Sequence, residues 1–489
     1  MVEAERPVRE AVDERPLPVF ACLWAIATLF HQAAWPARHV GAPMFLLTLA
    51  AVCVLLRPRS LRLFLGFLLL QVAVTVHQLP HGTSNHGLLT GFVAATMLLA
   101  WLGLAVRQRS PRVTRGELFA AFAPVARVEL VILYSYAVLH KLNHDFLSPT
   151  TSCAAEHLGR LTAVLPGVSS GPWLSYGAIY GTLIIEAAIP VLLVIRSTRL
   201  LGVALGTAFH LALVFDLRWS FYDFSAFVYA LYFLFIPDLV LRGLETAGAD
   251  GGRAARWLHR LRAPRFRAAL RGALLVLAAG VVLAASYHLG TGRGPGDHPV
   301  VHDLIRHLPR VALLAYAVIA FAVIATIRRR GPRLDDGYVA TLRPRTLAAV
   351  MVPVVFLNGL APYVGLKTEK AYSMFSNLAT EGGRTNHLFM PVRFRVAGYQ
   401  EDLVQVLESS LPALQRLADR DQLLPFFEFR HIAGQASGHY VTYRRGGQTY
   451  VLRDVSDSPE LMTPASWLER KALQFRPVSR RDGATPCTH

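Results

Sequence analysis

One feature constrains this chain more than any other: apolar stretches of about 20 residues, each long enough to cross the hydrocarbon of a bilayer, recur along most of its length. They fall at 17–35, 39–56, 62–80, 87–106, 122–141, 173–195, 199–216, 220–239, 268–289, 310–327 and 346–364. Backbone in lipid must satisfy its own hydrogen bonds, so each run is expected as a helix. The second is short and carries Pro43, and it reads either as a span or as an interfacial helix. The expected fold is a polytopic α-helical membrane protein with about 11 transmembrane helices, followed by a small extracytoplasmic α+β domain.

The excess of basic residues (50 Lys and Arg against 32 Asp and Glu) has a membrane explanation. Arg57, Arg59 and Arg62, then Arg107, Arg109, Arg112 and Arg115, then Arg196 and Arg199 sit in alternate loops. So do the basic run from Arg242 to Arg271 and the group from Arg328 to Arg333. The intervening loops at 80–86, 142–172 and 290–309 are nearly free of Lys and Arg. The positive-inside rule therefore puts the N-terminus in the cytoplasm and the chain after residue 365 outside. No aromatic-interleaved basic surface accompanies the charge, so nucleic acid is not expected as a partner. The bilayer is.

Three segments follow from this. Residues 1–16 read as a cytoplasmic tail without a signal peptide. Residues 17–365 form the membrane domain, with a Gly/Ala-rich and then basic cytoplasmic linker at 240–267 that could lie on anionic headgroups. Residues 366–489 change to periodic patterns. There, 400–420 reads as an amphipathic helix bent or split at Pro412, and PFFEFRHIAG as a strand. HYVTYRR-GG-QTYVLRDV reads as a hairpin on a Gly-Gly turn, and SWLERKALQF as a short helix capped by Ser466. The cysteines at 22, 53, 153 and 487 form neither a CxxC nor a zinc spacing, and no metal site is expected. Cys153 and Cys487 both fall outside, where a disulfide is permitted. The nearness of Cys487 to the chain end weighs against that pairing.

The chemistry-bearing stretch is RVELVILYSYAVLHKLNHDF, 127–146. At helical spacing Arg127, Tyr134 and Lys141 recur every seventh residue and share a face. Asp145 falls four residues after Lys141 and would pair with it if the helix continued. His140 and His144 flank the lysine. Ionisable groups at membrane depth point to function, whereas a lysine in the last turn of a span also snorkels for purely structural reasons. Glu186 lies deep in a span, with Pro190 four residues later freeing its carbonyl. It reads as a proton acceptor, as the partner of a buried cation, or as a tie between helices. His210 sits nearer the outer face and reads as a pocket residue or a helix-packing bond. Asp216, Arg218 and Asp223 read as interfacial charges. Eleven histidines, from His31 to His307, fall at or beyond the outer face, as a neutral side chain permits. A proton relay or a metal site at the outer mouth is the functional alternative.

LYSYAVLHKLNHDFLSP resembles the signature segment of the horizontally transferred transmembrane (HTTM) family, which includes the vitamin K-dependent gamma-carboxylases and bacterial relatives. The likeness rests on Tyr134, Lys141-Leu142 and Asp145-Phe146, on Glu186 in an IEAAIP setting and on Phe209-His210, and covers 15–365. The resemblance implies that Lys141 deprotonates a reduced quinone, menaquinol or similar, which then reacts with oxygen. The product removes a proton from a substrate glutamate, whose carbanion takes up carbon dioxide. Desolvation at a membrane edge favours a neutral amine, which suits that base. Tyr134, His210 and Glu186 would line or tune the pocket, with His140, His144 and Asp145 as candidate quinone-binding residues, and an extracytoplasmic peptide or protein would be the substrate. His140 stands where the family has a first lysine, Phe146 replaces a tryptophan, and the outer domain is much shorter. Two other functions fit the same residues: a non-catalytic membrane scaffold with an outer binding domain, and a proton-coupled transporter.

Overall fold

A computed structural model describes residues 13–34, 42–80, 82–163, 171–216, 218–219, 221–249, 263–291, 299–330, 346–392, 396–479 and 487. Most of the predicted cytoplasmic tail, the middle of the basic linker, the group around Arg333, His81 and His259 lie outside the described residues. Among the described residues, nine helices are long and apolar enough to cross a membrane, or ten if one bent pair counts as a span. All eleven predicted stretches are helical over most of their length. Ala42–Leu56 has only 15 residues, a rise of about 22 Å.

The expected single span at 220–239 is in fact two helices, Phe221–Phe233 and a segment starting at Pro237, bent by 85°. Proline without an N–H cannot continue the ladder. Three i→i+3 bonds from Leu234, Phe235 and Ile236 tighten the break.

The chain divides into two compact units. The first comprises 1–71, 93–128 and 222–351. Its core is aromatic: Phe20 packs on Trp24 and Phe122, with ring centroids 5.6 and 5.2 Å apart, and Trp24 meets Phe227 edge-on. The Trp24 indole N–H is buried and donates to Gln71 at 2.8 Å. Arg127 belongs to this unit, where its Nε donates to the Leu234 carbonyl at the broken helix.

The second unit comprises 72–92, 129–221 and 352–489. In it Pro172–Val194 packs against Arg199–Val214, and Cys153–Thr162 packs beside the former. Met351–Val364 approaches Tyr136 so closely that a Cβ at Gly359 would fall 2.1 Å from the Tyr136 ring. Only glycine fits there.

The C-terminal part carries a five-stranded antiparallel sheet in the order β4-β3-β1-β2-β5. The strands are β1 (Leu403–Ser409), β2 (Gln422–Pro425), β3 (Val441–Arg445), β4 (Gln448–Leu452) and β5 (Val478–Ser479). The β3–β4 hairpin turns on Gly446 and Gly447, both at positive φ as a two-residue turn of this kind requires. Tyr443 and Tyr450 face each other across it at 5.0 Å.

Three expectations fail here. The segment 400–420 is not one helix. Val404 and Val406 alternate inward in β1, and Pro412 begins the helix Pro412–Asp419 as its first residue. The run FFEFRHIA is a helix, Phe426–Ala433, and not a strand. Phe426, Phe429 and Ala433, at spacings of three and four, enter the sheet core with Leu414 and Val441. The hairpin lies where it was expected, and so does the helix Trp467–Ala472, with Ser466 as its cap in a full capping box. Cys153 and Cys487 are disulfide-bonded, against the sequence expectation. Cys487 is held in an apolar cluster with Phe146, Ala154 and Ile179.

Phe429 is fully buried against Tyr443 at 4.7 Å. Phe429→Ala should therefore cost about 3–5 kcal/mol. The loss would be read by thermal unfolding of the full chain in detergent, with exposed Tyr450→Ala as the mild control.

Candidate functional site

The site is built around the exit of the helix Arg115–Lys141, within the second unit. The helix does not continue past Lys141. Asn143 takes an extended conformation and caps a new turn, His144–Leu147, by accepting from the Phe146 N–H at 2.8 Å. Its amide nitrogen donates to the His140 carbonyl at 2.7 Å and to the Ser376 carbonyl at 2.6 Å. The expected Lys141–Asp145 pair is thereby excluded, since those residues lie on different helical segments.

Lys141 turns instead to Glu186, with Nζ and Oε2 2.7 Å apart. Both residues are buried, 5 % and 9 % exposed. The Lys141 ammonium also donates to the Ala137 carbonyl at 3.2 Å and lies 5.9 Å from the centre of the Phe146 ring. Two turns earlier on the same helix, the Tyr134 hydroxyl is 2.7 Å from His210 Nε2, and both are buried. The four residues singled out as catalytic thus form two hydrogen-bonded pairs, each joining this helix to another apolar helix.

The flanking residues have other duties. The Nε2–H of His140 donates to the Ala371 carbonyl at 3.0 Å, so Nδ1 is left to accept from the Tyr363 hydroxyl at 2.9 Å. The ring is stacked between Tyr136 and Tyr363. Every polar atom of His140 is engaged in holding the fold. Asp145 accepts from Asn386 at 2.7 Å. His144 is exposed. None of the three quinone-binding candidates shares a described hydrogen bond with Lys141 or Glu186.

The segment 365–389, to which the sequence assigned no role, is the part that was missed. It is irregular yet buried: Thr368, Ala371, Tyr372, Ser376, Asn377 and Leu378 are all nearly inaccessible. Lys370, Tyr372, Phe375 and Asn377 hold positive φ within eight residues. Such backbone is costly for residues other than glycine and persists only where surrounding bonds fix it. The bonds are present. Tyr372 N–H donates to Asn85 Oδ1 at 2.8 Å, and the Lys370 carbonyl accepts from the Asn358 amide at 3.0 Å. Asn377 accepts from the Cys153 N–H at 2.9 Å and donates to the Thr151 carbonyl at 2.8 Å. Further on, His144 N–H donates to the Asn386 carbonyl, Leu388 N–H to the Leu142 carbonyl, and His387 Nε2–H to the Leu139 carbonyl at 2.9 Å. The only advance signal was its density of Ser, Thr and Asn, residues that bond to backbone.

A buried ionic layer backs this segment. Arg476 pairs with Glu381 at 2.9 Å and also reaches the Leu378 carbonyl, while Lys370 bonds to Gln474. Burial pushes the Glu428 carboxyl up to about 7, against the lowering effect of the Phe475 N–H and Lys370. Burial also holds Lys367 down to about 8, with Lys370 adding to it. A second cluster joins His157, Asp216 and Arg160. His157 Nδ1 and Arg160 Nε lie 2.7 and 3.0 Å from the same Asp216 oxygen, and the imidazole packs edge-on against Phe221 and Phe375. Burial opposes ionisation of Asp216, but bonds from His157, Arg160 and the Arg218 N–H outweigh it, and the carboxyl titrates below its ordinary range. From sequence, Asp216 reads as an interfacial charge and His157 as one of the eleven outer histidines.

No protein-family model matches this chain, no curated protein matches it, and no solved structure matches it. The likeness to the carboxylase family therefore rests on the residues quoted above alone.

Two outcomes follow. Asn143→Ala removes a cap and strands the Ser376 carbonyl, so it should destabilise by about 1–3 kcal/mol and raise protease cleavage within 365–389. Glu428 binds a proton more tightly folded than unfolded, so its stabilising effect is present in acid and is lost as pH rises from about 4.5 to about 7. Thermal unfolding from pH 5 to 8 should fall more steeply for the parent than for Glu428→Gln.

Proposed function

We propose that this is an integral membrane enzyme related to the HTTM and gamma-carboxylase family, with Lys141 as its proton-accepting base. The observation that carries the reading is the buried Lys141–Glu186 pair at 2.7 Å. A carboxylate at that distance can take the ammonium proton, and the free amine then accepts another from an acidic hydroxyl. Nζ has three N–H bonds, of which two point to Glu186 and the Ala137 carbonyl. The third direction and the neighbouring Phe146 ring fit a hydroxylated aromatic ring such as a quinol. A reduced quinone such as menaquinol, with oxygen, would supply the strong base that carbon-acid deprotonation needs, and carbon dioxide the new carboxyl group. Tyr134 and His210 would hold a second proton site two turns deeper, and an extracytoplasmic peptide or protein would be the acceptor.

The reading includes about 11 spans and an outward-facing Lys141. The Cys153–Cys487 disulfide supports that side, since such bonds persist in oxidising compartments. The scaffold alternative draws support from His140, Asn143 and Asp145, which are all engaged in holding 365–389. The transporter alternative calls for two broken helices in corresponding positions of a repeat, and a single broken span is found among the described residues.

Protein in lipid nanodiscs, given menaquinol anaerobically and then oxygen, should form quinone epoxide detectable by mass spectrometry. Lys141→Ala should abolish it, and Glu186→Gln should slow it by about 10²-fold. An equally active Lys141→Ala variant, or a folded wild type that stays inactive with outer-surface peptides added, would leave the scaffold reading standing instead.

A further inference from the structure

The helix Leu61–Gln78 exposes Ala73, Val76 and His77 along one side near its C-terminal end, at the spacing of a lipid-facing stripe. Its last carbonyls lack partners within the helix. Lys471 supplies them from the far end of the sequence: Nζ donates to the His77 carbonyl at 3.1 Å and to the Leu79 carbonyl at 2.7 Å. Lys471 belongs to the short helix Trp467–Ala472. That helix is therefore pinned at the level where a membrane-spanning helix ends.

The same short helix exposes what a water-facing surface would not favour. Trp467 is 61 % and Leu468 67 % exposed, side by side. Their presentation is fixed. Ser466 and Glu469 close a capping box at the helix start, and Glu469 also accepts from the Tyr399 hydroxyl at 2.9 Å. Arg470 is exposed beside them. A tryptophan and a leucine flanked by basic residues at the mouth of a span match the composition of the headgroup zone, where an indole sits with its ring in the acyl boundary and its N–H in the wet layer.

We infer that Trp467 and Leu468 anchor the C-terminal sheet region to the bilayer surface, so that the partner of this helix is lipid. The inference rests on the membrane reading above but not on any catalytic step. The anchor continues the lipid-facing stripe of Ala73, Val76 and His77 onto the α+β part of the chain.

The test uses the full chain in nanodiscs carrying lipids with a nitroxide near the headgroup, and compares wild type with Trp467→Phe. Trp467 is one of seven tryptophans, so the difference emission isolates it. About half or more of that emission should be lost to the headgroup-level nitroxide and little to aqueous iodide. Trp173, 89 % exposed at the start of an apolar helix, serves as the reference through Trp173→Phe. Lipid quenching of Trp173 with iodide quenching of Trp467 would overturn the anchor and leave the membrane reading intact. Iodide quenching of both would overturn both.

Discussion

The local architecture hangs on one side-chain amide. Asn143 stops a 27-residue helix, starts the next turn and grips the loop that closes over it, using its oxygen for the Phe146 N–H and its nitrogen for the His140 and Ser376 carbonyls. Asparagine supplies an acceptor and two donors on a stem short enough to reach all three backbone partners. Aspartate would keep the cap and lose the donors; glutamine would displace both by a methylene. The direction in which Lys141 leaves the helix follows from this stop. Had the helix run on, Asp145 would have neutralised the lysine at the surface. With the helix ended, Lys141 is left to a carboxylate on another apolar helix.

That substitution of partners changes the physics of the pair. A Lys–Asp contact one turn apart at a helix end is a solvated ion pair worth little. Lys141 and Glu186 are almost wholly buried, and removing two charges from water costs several kcal/mol per ion before their attraction is counted. A tie between helices would be achieved more cheaply by packed apolar side chains. Under the function proposed above, proton transfer is what the cost of this charged pair would serve. The irregular 365–389 segment belongs to the same picture: its positive-φ stretch is held by bonds from Asn358, Asn85, Cys153 and Thr151, and its far end by backbone bonds to the helix exit and a buried Arg476–Glu381 pair.

The membrane-length helices were legible in the sequence because one strong signal, sustained apolarity, decides them. Weaker signals failed where two periods overlap. Leu403, Val406, Leu407 and Leu411 fit a helical spacing, yet the alternation of Val404 and Val406 won because Pro412 starts a helix rather than interrupting one. FFEFRHIA has the composition of a strand, but the spacing of Phe426, Phe429 and Ala433 fills the sheet core from a helix. At the site, Lys141, Glu186, Tyr134 and His210 were recognisable as polar groups in apolar runs. Their pairing was not, since it depends on which helices pack together. The partners of His140 were hidden for a related reason: nothing in a sequence distinguishes a histidine held by Tyr363 and Ala371 from one facing a substrate.

The Cys153–Cys487 bond joins residues 334 positions apart. It closes most of the second unit and much of the first into one covalent ring, from the start of the helix Cys153–Thr162 to Cys487. A single backbone cut anywhere inside that ring leaves the molecule whole. The two pieces part only when the bond is reduced, so the integrity of the protein in an oxidising setting does not depend on an unbroken polypeptide.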